Sequence, residues 1–394
     1  MKSYGRTSVH EFLGDFIVYR NLMPLDARLP TLEDVREQAG VPQGITPRKS
    51  QPAYARVIVE LLRAARRIDA PRAALQRLIY IGDTRMNDGT AFANIAQAAG
   101  WPGMAFIASE KDDPQPPEIV EQVNHADCPL SLYLANRWAA IQDFERFCDD
   151  RGFAIDKETA VIVDLDKTAL GARGRNDHVI NQARVEAVRR TVGALLGDEF
   201  DPRAFQAAYD ALNQSAFHPF TADNQDYLAY VCLILGSGLY DLKVLMDRVR
   251  DERMTSFEQF IEEVDEQASD LPASLWEIHQ RIYRRVEAGD PTPFKAFRYN
   301  EYQATVERMG RLDDAASVED LLAKEIVITQ EVREAALRWK ARGALLFALS
   351  DKPDEASIPT PALASEGFQS IHRIETHAVG DDETSTVDVE ESIR

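Results

Sequence analysis

Thr159-Ala160-Val161-Ile162-Val163-Asp164-Leu165-Asp166-Lys167-Thr168-Ala169-Leu170 is the stretch on which the fold turns. Its short β-branched run at 160–163, bounded by polar residues, reads as a strand buried on both faces. In open α/β sheets, ligands bind just beyond the carboxyl ends of such strands. Asp164 and Asp166 stand at that end, with Thr168 two residues further on. Carboxylate oxygens in that place suit a hard cation such as Mg2+. A strand that merely ends in an acidic turn looks the same, so the decision lies elsewhere in the chain.

Upstream, a second apolar run at 78–81 ends in Gly82-Asp83-Thr84-Arg85-Met86-Asn87-Asp88-Gly89. A helix is expected at 90–99, closed by Gly100, and a further strand at 103–108. Before them, Thr31-Leu32-Glu33-Asp34 reads as a helix start with acids in its first turn. Residues 40–48 are rich in Gly and Pro and form a loop that Lys49 closes. Pro52 then opens a long helical pattern to Ala70, with aliphatic positions at helical spacing and arginines on the other face. Residues 71–77 read as a short second helix. Residues 130–148 read as one amphipathic helix with Leu132, Leu134, Trp138, Ile141 and Phe144 inward. Helices alternating with strands are the signature of a parallel sheet with crossover connections.

Downstream the grammar changes. From 171 to 342 the patterns are helical, broken at Gly236-Ser237-Gly238 and Gly289-Asp290-Pro291. Strand grammar returns at 343–349, which ends in Ser350-Asp351-Lys352-Pro353, and 370–376 is a weaker edge-strand candidate. The expected organisation is therefore a doubly wound, Rossmann-like, mostly parallel α/β core made of 1–170 and 343–380. An all-helical insertion at 171–342 interrupts it, and an acidic, disordered tail follows at 381–394.

Bulk composition sets outer limits. The 394 residues suffice for two domains, and 45% hydrophobic with 28% charged content is ordinary for a soluble globular protein. A net charge of −20 opposes general binding to nucleic acid or to an anionic membrane. No apolar stretch has the length of a membrane span, and no apolar signal core follows Met1. Cys128, Cys148 and Cys232 lack metal-ligand spacing, and an odd count argues against a disulfide framework. A reducing cytoplasm is the expected location.

Three strand ends now share one chemistry: Asp164/Asp166, Asp83…Asp88, and Ser350. If their strands are parallel neighbours, up to four carboxylates crowd one sheet edge. Carboxylates so packed repel unless a cation sits among them, which implies a divalent metal, Mg2+ by oxygen preference.

These residues resemble the haloacid dehalogenase superfamily, whose members are mostly phosphatases. The family's first motif, Asp-x-Asp-x-Thr after a buried strand, matches Asp164-Leu165-Asp166-Lys167-Thr168. Its fourth, Gly-Asp-x-x-x-Asn-Asp, matches Gly82-Asp83-Thr84-Arg85-Met86-Asn87-Asp88 in full. Ser350 fits the second motif, a hydroxyl residue ending a strand. Lys49 fits the third, a lone lysine before a helix. The usual order runs first to fourth, whereas here it runs third, fourth, first, second. The resemblance thus implies a circularly permuted core, with the helical insertion following the first-motif strand, where the family places a cap.

The resemblance implies roles as well. Asp164 is the expected nucleophile and Asp166 the expected general acid and base. Lys49 and Ser350 are the expected phosphoryl-binding groups, with Lys352 as the rival lysine. Mg2+ is expected at Asp164, Asp166 (through its backbone carbonyl) and Asp83, with Asp88 orienting. Thr168, Arg173 and Arg175 follow closely enough to touch substrate, and a cap closing over the core would exclude water and select the leaving group. Dehalogenating members lack the second acid, so Asp166 favours phosphoester chemistry on a small-molecule monoester. The alternatives are a phosphomutase or phosphotransferase using the same intermediate, and a scaffold that binds a partner through its cap. His178 and His218 read as ordinary histidines, and Phe294-Lys295-Ala296-Phe297-Arg298-Tyr299 is a second basic-aromatic cluster, equally readable as helix packing. Oligomeric state is open.

Overall fold

The computed structural model describes residues 1–123, 128–222 and 224–381. Ten strands occur among them: β1 Lys2–Thr7, β2 Ile17–Val18, β3 Arg77–Gly82, β4 Gly103–Ala108, β5 Glu118–Val123, β6 Pro129–Ala135, β7 Thr159–Asp164, β8 Ile328–Thr329, β9 Leu345–Leu349 and β10 Thr376–Gly380. Seven of them make the main sheet, in the order β2-β9-β7-β3-β4-β6-β5. All neighbours are parallel except β5, which runs antiparallel along β6 at the edge. The strand of Asp164 lies between the strand that ends in Gly82 and the strand that leads to Ser350, as the motif argument expects.

Both faces of this sheet are buried. Along β7 every residue from Thr159 to Asp164 is inaccessible, which is why its sequence reads as a continuous apolar run and not an alternating one. One face, with Leu78, Tyr80, Ala160, Ile162 and Phe347, packs on helices Pro52–Asp69 and Asn87–Ala99. The other carries Phe106, whose ring meets Tyr133, Trp138 and Phe144, and Phe144 in turn meets Trp339 of helix Gln330–Ala341. Helices on both faces of a mostly parallel sheet make the doubly wound α/β class.

Three local expectations fail and one strand goes unforeseen, each for a physical reason. Residues 130–148 are not one helix: Pro129–Ala135 is a strand and only Ile141–Asp150 is helical. Leu130, Leu132 and Leu134 follow the strand period of two, whereas Trp138, Ile141 and Phe144 follow the helical one. Residues 71–77 form no helix, because Gln76 and Arg77 donate their N–H groups to Glu158 O and Arg77 pairs with Thr159. The last strand is Thr376–Gly380 and not 370–376. It belongs to a separate three-stranded sheet, antiparallel to β1 and parallel to β8. Strand β1 itself was not foreseen, since its mostly exposed residues show no apolar pattern.

The described residues form two compact units, one from 1–181 with 305–357 and 368–381, the other from 182–304 with 358–367. The second is helical, with a core that includes Phe205, Leu228, Tyr230, Phe257 and Phe260. There Arg298 is buried between Asp226 and Glu301, and Phe294 and Phe297 are core residues, so these three members of the 294–299 cluster serve packing, whereas Tyr299 is exposed. The expected insertion at 171–342 is wider than this unit. Residues 305–342 belong to the first unit, because β8 pairs with β10 and Trp339 enters the sheet's aromatic cluster. Cys128, Cys148 and Cys232 are free thiols. No helix among the described residues is long and apolar enough to cross a membrane. Apart from Asp381, the acidic tail lies outside the described residues.

Candidate active site and cation centre

Strand register brings the motifs level. Ile81 pairs with Val163 and Asp164 with Leu349, so Asp83, Asp164 and Ser350 emerge at one carboxyl edge of the sheet. The loop after β7 folds back at once: Ala169 N–H donates to Asp164 O at 3.2 Å and Leu170 N–H to Leu165 O at 2.9 Å. Lys167 takes a left-handed conformation at φ 67° to permit this turn.

Asp83, Asp88 and Asp164 each offer a carboxylate oxygen within 4.8 Å of the others. All three side chains are buried, and so is Lys49. Lys49 Nζ donates to Asp164 Oδ1 at 2.5 Å and to Asp88 Oδ1 at 2.6 Å, joining positions 115 and 39 residues away in sequence. Its ammonium also lies 5.6 Å from the centre of the Tyr80 ring. Asp88 Oδ2 accepts the N–H groups of Asp83 and Thr84 and the Thr84 hydroxyl at 2.9–3.0 Å, while the Tyr80 hydroxyl donates to Oδ1 at 3.2 Å.

Gly82 makes this possible. A Cβ there would stand 2.6 Å from Asp88 Cβ and Cγ, closer than atoms tolerate. Gly82→Ala is therefore expected to displace Asp88 and to lower stability by about 1–3 kcal/mol. Denaturant titration checks the loss, and an unchanged midpoint would refute the crowding argument.

The electrostatics follow from burial. Desolvation pushes Asp83 up to about 7, Asp88's charge adds to the effect, and Arg173 opposes it. Burial likewise drives Asp164 well above the carboxylate range, against the pull of Lys49 and with Asp88 and Asp83 adding to it. Burial alone would lower Lys49, but Asp164 and Asp88 hold it far above its ordinary value, so it is the fixed cation of the cluster. Asp88 stays ionised: Lys49 and its hydrogen bonds outweigh its burial.

A pH dependence follows. Between about pH 4 and 7 the folded chain keeps a proton on Asp83 that the unfolded chain has released. This contribution of Asp83 is full below pH 4 and is lost as pH rises through that window, roughly 2–4 kcal/mol without divalent ions. Added Mg2+ should flatten the decline. A thermal-melt series with and without Mg2+ measures it, and a chelated profile that rises from pH 4 to 7 would count against the carboxylate cluster.

The donor set fits a hard divalent ion. It is all oxygen, and ligand oxygens on an octahedral ion at ~2.1 Å stand roughly 3–4 Å apart, within the spacing seen here. Two protein cations, Lys49 and Arg173, face three carboxylates, so the cluster is net negative only when all three acids are ionised, the state a bound divalent ion would favour.

The other expected residues divide. Ser350 is buried, and its Oγ accepts Lys352 N–H at 3.1 Å. Lys352 Nζ lies 3.9 Å from Asp166 Oδ1, so each lysine attends a different aspartate. Asp166 is partly exposed, and its carboxylate is outside the three-acid cluster. Arg173 donates Nε to Asp83 Oδ2 from a half-exposed position. Its carbonyl is pinned by Glu110 N–H and Trp138 Nε1, and Gly174 at φ 78° lets Glu110 approach to where a Cβ would lie 2.0 Å from its carbonyl oxygen.

Two residues expected to touch substrate are buried and held by protein contacts. Arg175 is buried and bidentate to Glu331 at 2.9 and 3.0 Å, with Glu110 at 3.0 Å, so its guanidinium is engaged in an ion cluster within the protein. Thr168 is wholly buried, and its carbonyl accepts from Thr329 Oγ1 at 2.5 Å, so it braces the loop against β8. Sequence reasoning missed Tyr80 and Thr84. Thr84 was discoverable as a hydroxyl inside the Gly82–Asp88 loop, whereas Tyr80 is hidden in an apolar strand. The chain matches no protein-family model, no curated protein and no solved structure, so the reading of this site rests on its own geometry and chemistry.

Proposed function

We propose that this chain is a Mg2+-dependent phosphatase that hydrolyses a small-molecule phosphate monoester through an aspartyl-phosphate on Asp164. Its core is read as a circularly permuted relative of the haloacid dehalogenase fold. The observation that carries the reading is the buried ammonium of Lys49 held between Asp164 and Asp88. Three separate motifs, chosen for their chemistry, meet at that one nitrogen. The strand order supports permutation, since the neighbours of β7 come from 77–82 and from 345–349.

In the first step a carboxylate oxygen of Asp164 attacks phosphorus and the bond to the ester oxygen breaks. Asp166 gives its proton to the departing oxygen. In the second step Asp166, now ionised, takes a proton from water, whose oxygen attacks phosphorus. Inorganic phosphate leaves and Asp164 is restored. Lys352 Nζ stands 3.9 Å from the Asp166 carboxylate that moves the proton. Lys49 and Ser350 stabilise the phosphoryl oxygens as charge moves. Asp83 and Asp164, with Asp88 beside them, are the residues that would hold Mg2+, which shields an anionic nucleophile from an anionic phosphate. Arg173, half-exposed on Asp83, is placed to meet an incoming phosphate.

A panel of small phosphate esters with Mg2+ tests the proposal. Free inorganic phosphate, dependent on the metal, is the expected product. Transfer to a second hydroxyl in its place would make the protein a phosphotransferase, and no turnover of any ester would sink the enzymatic reading.

A further inference from the structure

A second group of ligand-type side chains lies at the opposite edge of the main sheet, where β9 begins. His10, Asp15 and His372 each present a donor atom within 4.8 Å of the others. Helix Val9–Leu13 supplies His10, and the turn after Gly14 supplies Asp15. The 3₁₀ turn Ile371–Arg373 supplies His372, 357 residues from Asp15 in sequence. Both imidazoles converge on one atom: His372 Nε2 lies 3.0 Å and His10 Nδ1 3.2 Å from Asp15 Oδ1. The Nδ1 of His10 is buried yet makes no hydrogen bond among the described residues, despite that short approach. A nitrogen held 3.2 Å from an oxygen without hydrogen-bond alignment has the spacing of two ligands on one ion.

From these positions we infer that His10, Asp15 and His372 form a binding site for a divalent transition metal of the Zn2+ class. Two ligands on a tetrahedral ion at ~2.0–2.1 Å stand roughly 3.4 Å apart, close to the two spacings seen here. Two imidazoles and one carboxylate select a borderline ion over Mg2+, which prefers oxygen alone. The carboxylate is steadied from behind, because Arg373 Nη2 donates to both of its oxygens, at 2.5 Å to Oδ2 and 2.7 Å to Oδ1, and Oδ1 also faces the two imidazoles. His10 and Asp15 also line a cavity of about 470 Å³ at the start of β9, which gives the ion a route in and room for a water as fourth ligand. The metal would clip the segment around His10 to the segment around His372. This inference does not depend on the phosphatase reading.

Co2+ is the probe, titrated into the full-length protein with excess Mg2+ to occupy the carboxylate cluster. One Co2+ per chain is expected, with the visible absorption of a four-coordinate nitrogen–oxygen site and a rise in melting temperature. His10→Gln and His372→Gln should each weaken binding at least ten-fold and abolish the visible band, while Asp83→Asn should leave it. His10 is partly exposed, so its variant decides the matter if His372→Gln fails to fold. Absence of the band overturns the inference. So does a band that survives His10→Gln and vanishes in Asp83→Asn, because the ion would then belong to the carboxylate cluster.

Discussion

Asp164→Asn is expected to abolish phosphate-ester turnover, by at least about 10⁴-fold in kcat, while raising the melting temperature of the metal-free protein at pH 8. The two effects have one cause. The asparagine keeps the shape of the side chain but cannot form the acyl-phosphate, so the first step has no nucleophile. It also removes a charge that burial disfavours and that Asp88 and Asp83 repel, with only part of the cost returned by Lys49. Lys49 keeps Asp88 as its partner at 2.6 Å, so the substitution does not strand a buried cation. Steady-state kinetics and a melt on the same preparation measure both. Undiminished turnover would remove Asp164 from the chemistry, and a large fall in melting temperature would show that its charge supports the fold.

Lys49→Met should act in the opposite direction on stability. It leaves Asp88 and Asp164 buried with no ammonium between them. Losing one partner of a buried ion pair costs about 3–5 kcal/mol, and here two carboxylates lose the same partner. Turnover should fall by roughly 10²–10³-fold as well, since a preorganised donor to the phosphoryl oxygens is gone. The double variant Lys49→Met/Asp164→Asn should recover much of the lost stability, because one of the stranded charges is neutralised. Lys352→Met is the matched comparison. Its ammonium attends Asp166 at 3.9 Å and not the three-acid cluster, so it should cost less stability than Lys49→Met. Equal losses in the two single variants would mean that the 2.5 and 2.6 Å contacts of Lys49 carry no special weight.

The fold class and the position of Asp164 were legible because parallel strands announce themselves locally. A run such as 160–163, apolar on both sides, needs no knowledge of its partners to be read. Strand β1 was not legible, since its pairing with β10 is a long-range fact and its own side chains are largely exposed. Residues 130–148 misled because two periods abut: three leucines at spacing two precede aromatic and aliphatic residues at helical spacing. In the site, the aspartates were legible because loops after strands tolerate charge only where something uses it. The partners of Arg175 were not legible, for the reverse reason. Nothing near it in sequence shows that Glu331 and Glu110 surround it. Lys49 sat in a loop without a distinguishing local pattern, and only the convergence of β3 and β7 gives that lysine its neighbours.

The placement of β7 between β3 and β9 has a kinetic side. During synthesis β3, β4, β6 and β7 can pair as soon as residue 164 is made. One edge of β7 then stays open until β9 emerges some 180 residues later, and β2, made first of the main-sheet strands, has no partner until that moment. Strand β1 waits longer still, for residues 376–380. A nascent chain stalled inside the helical unit would therefore carry an unsatisfied sheet edge next to Asp164. Refolding from denaturant should show a slow phase in which the pairings of β9 with β7 and β2, and of β1 with β10, close after the β3–β7 edge that carries the carboxylate cluster.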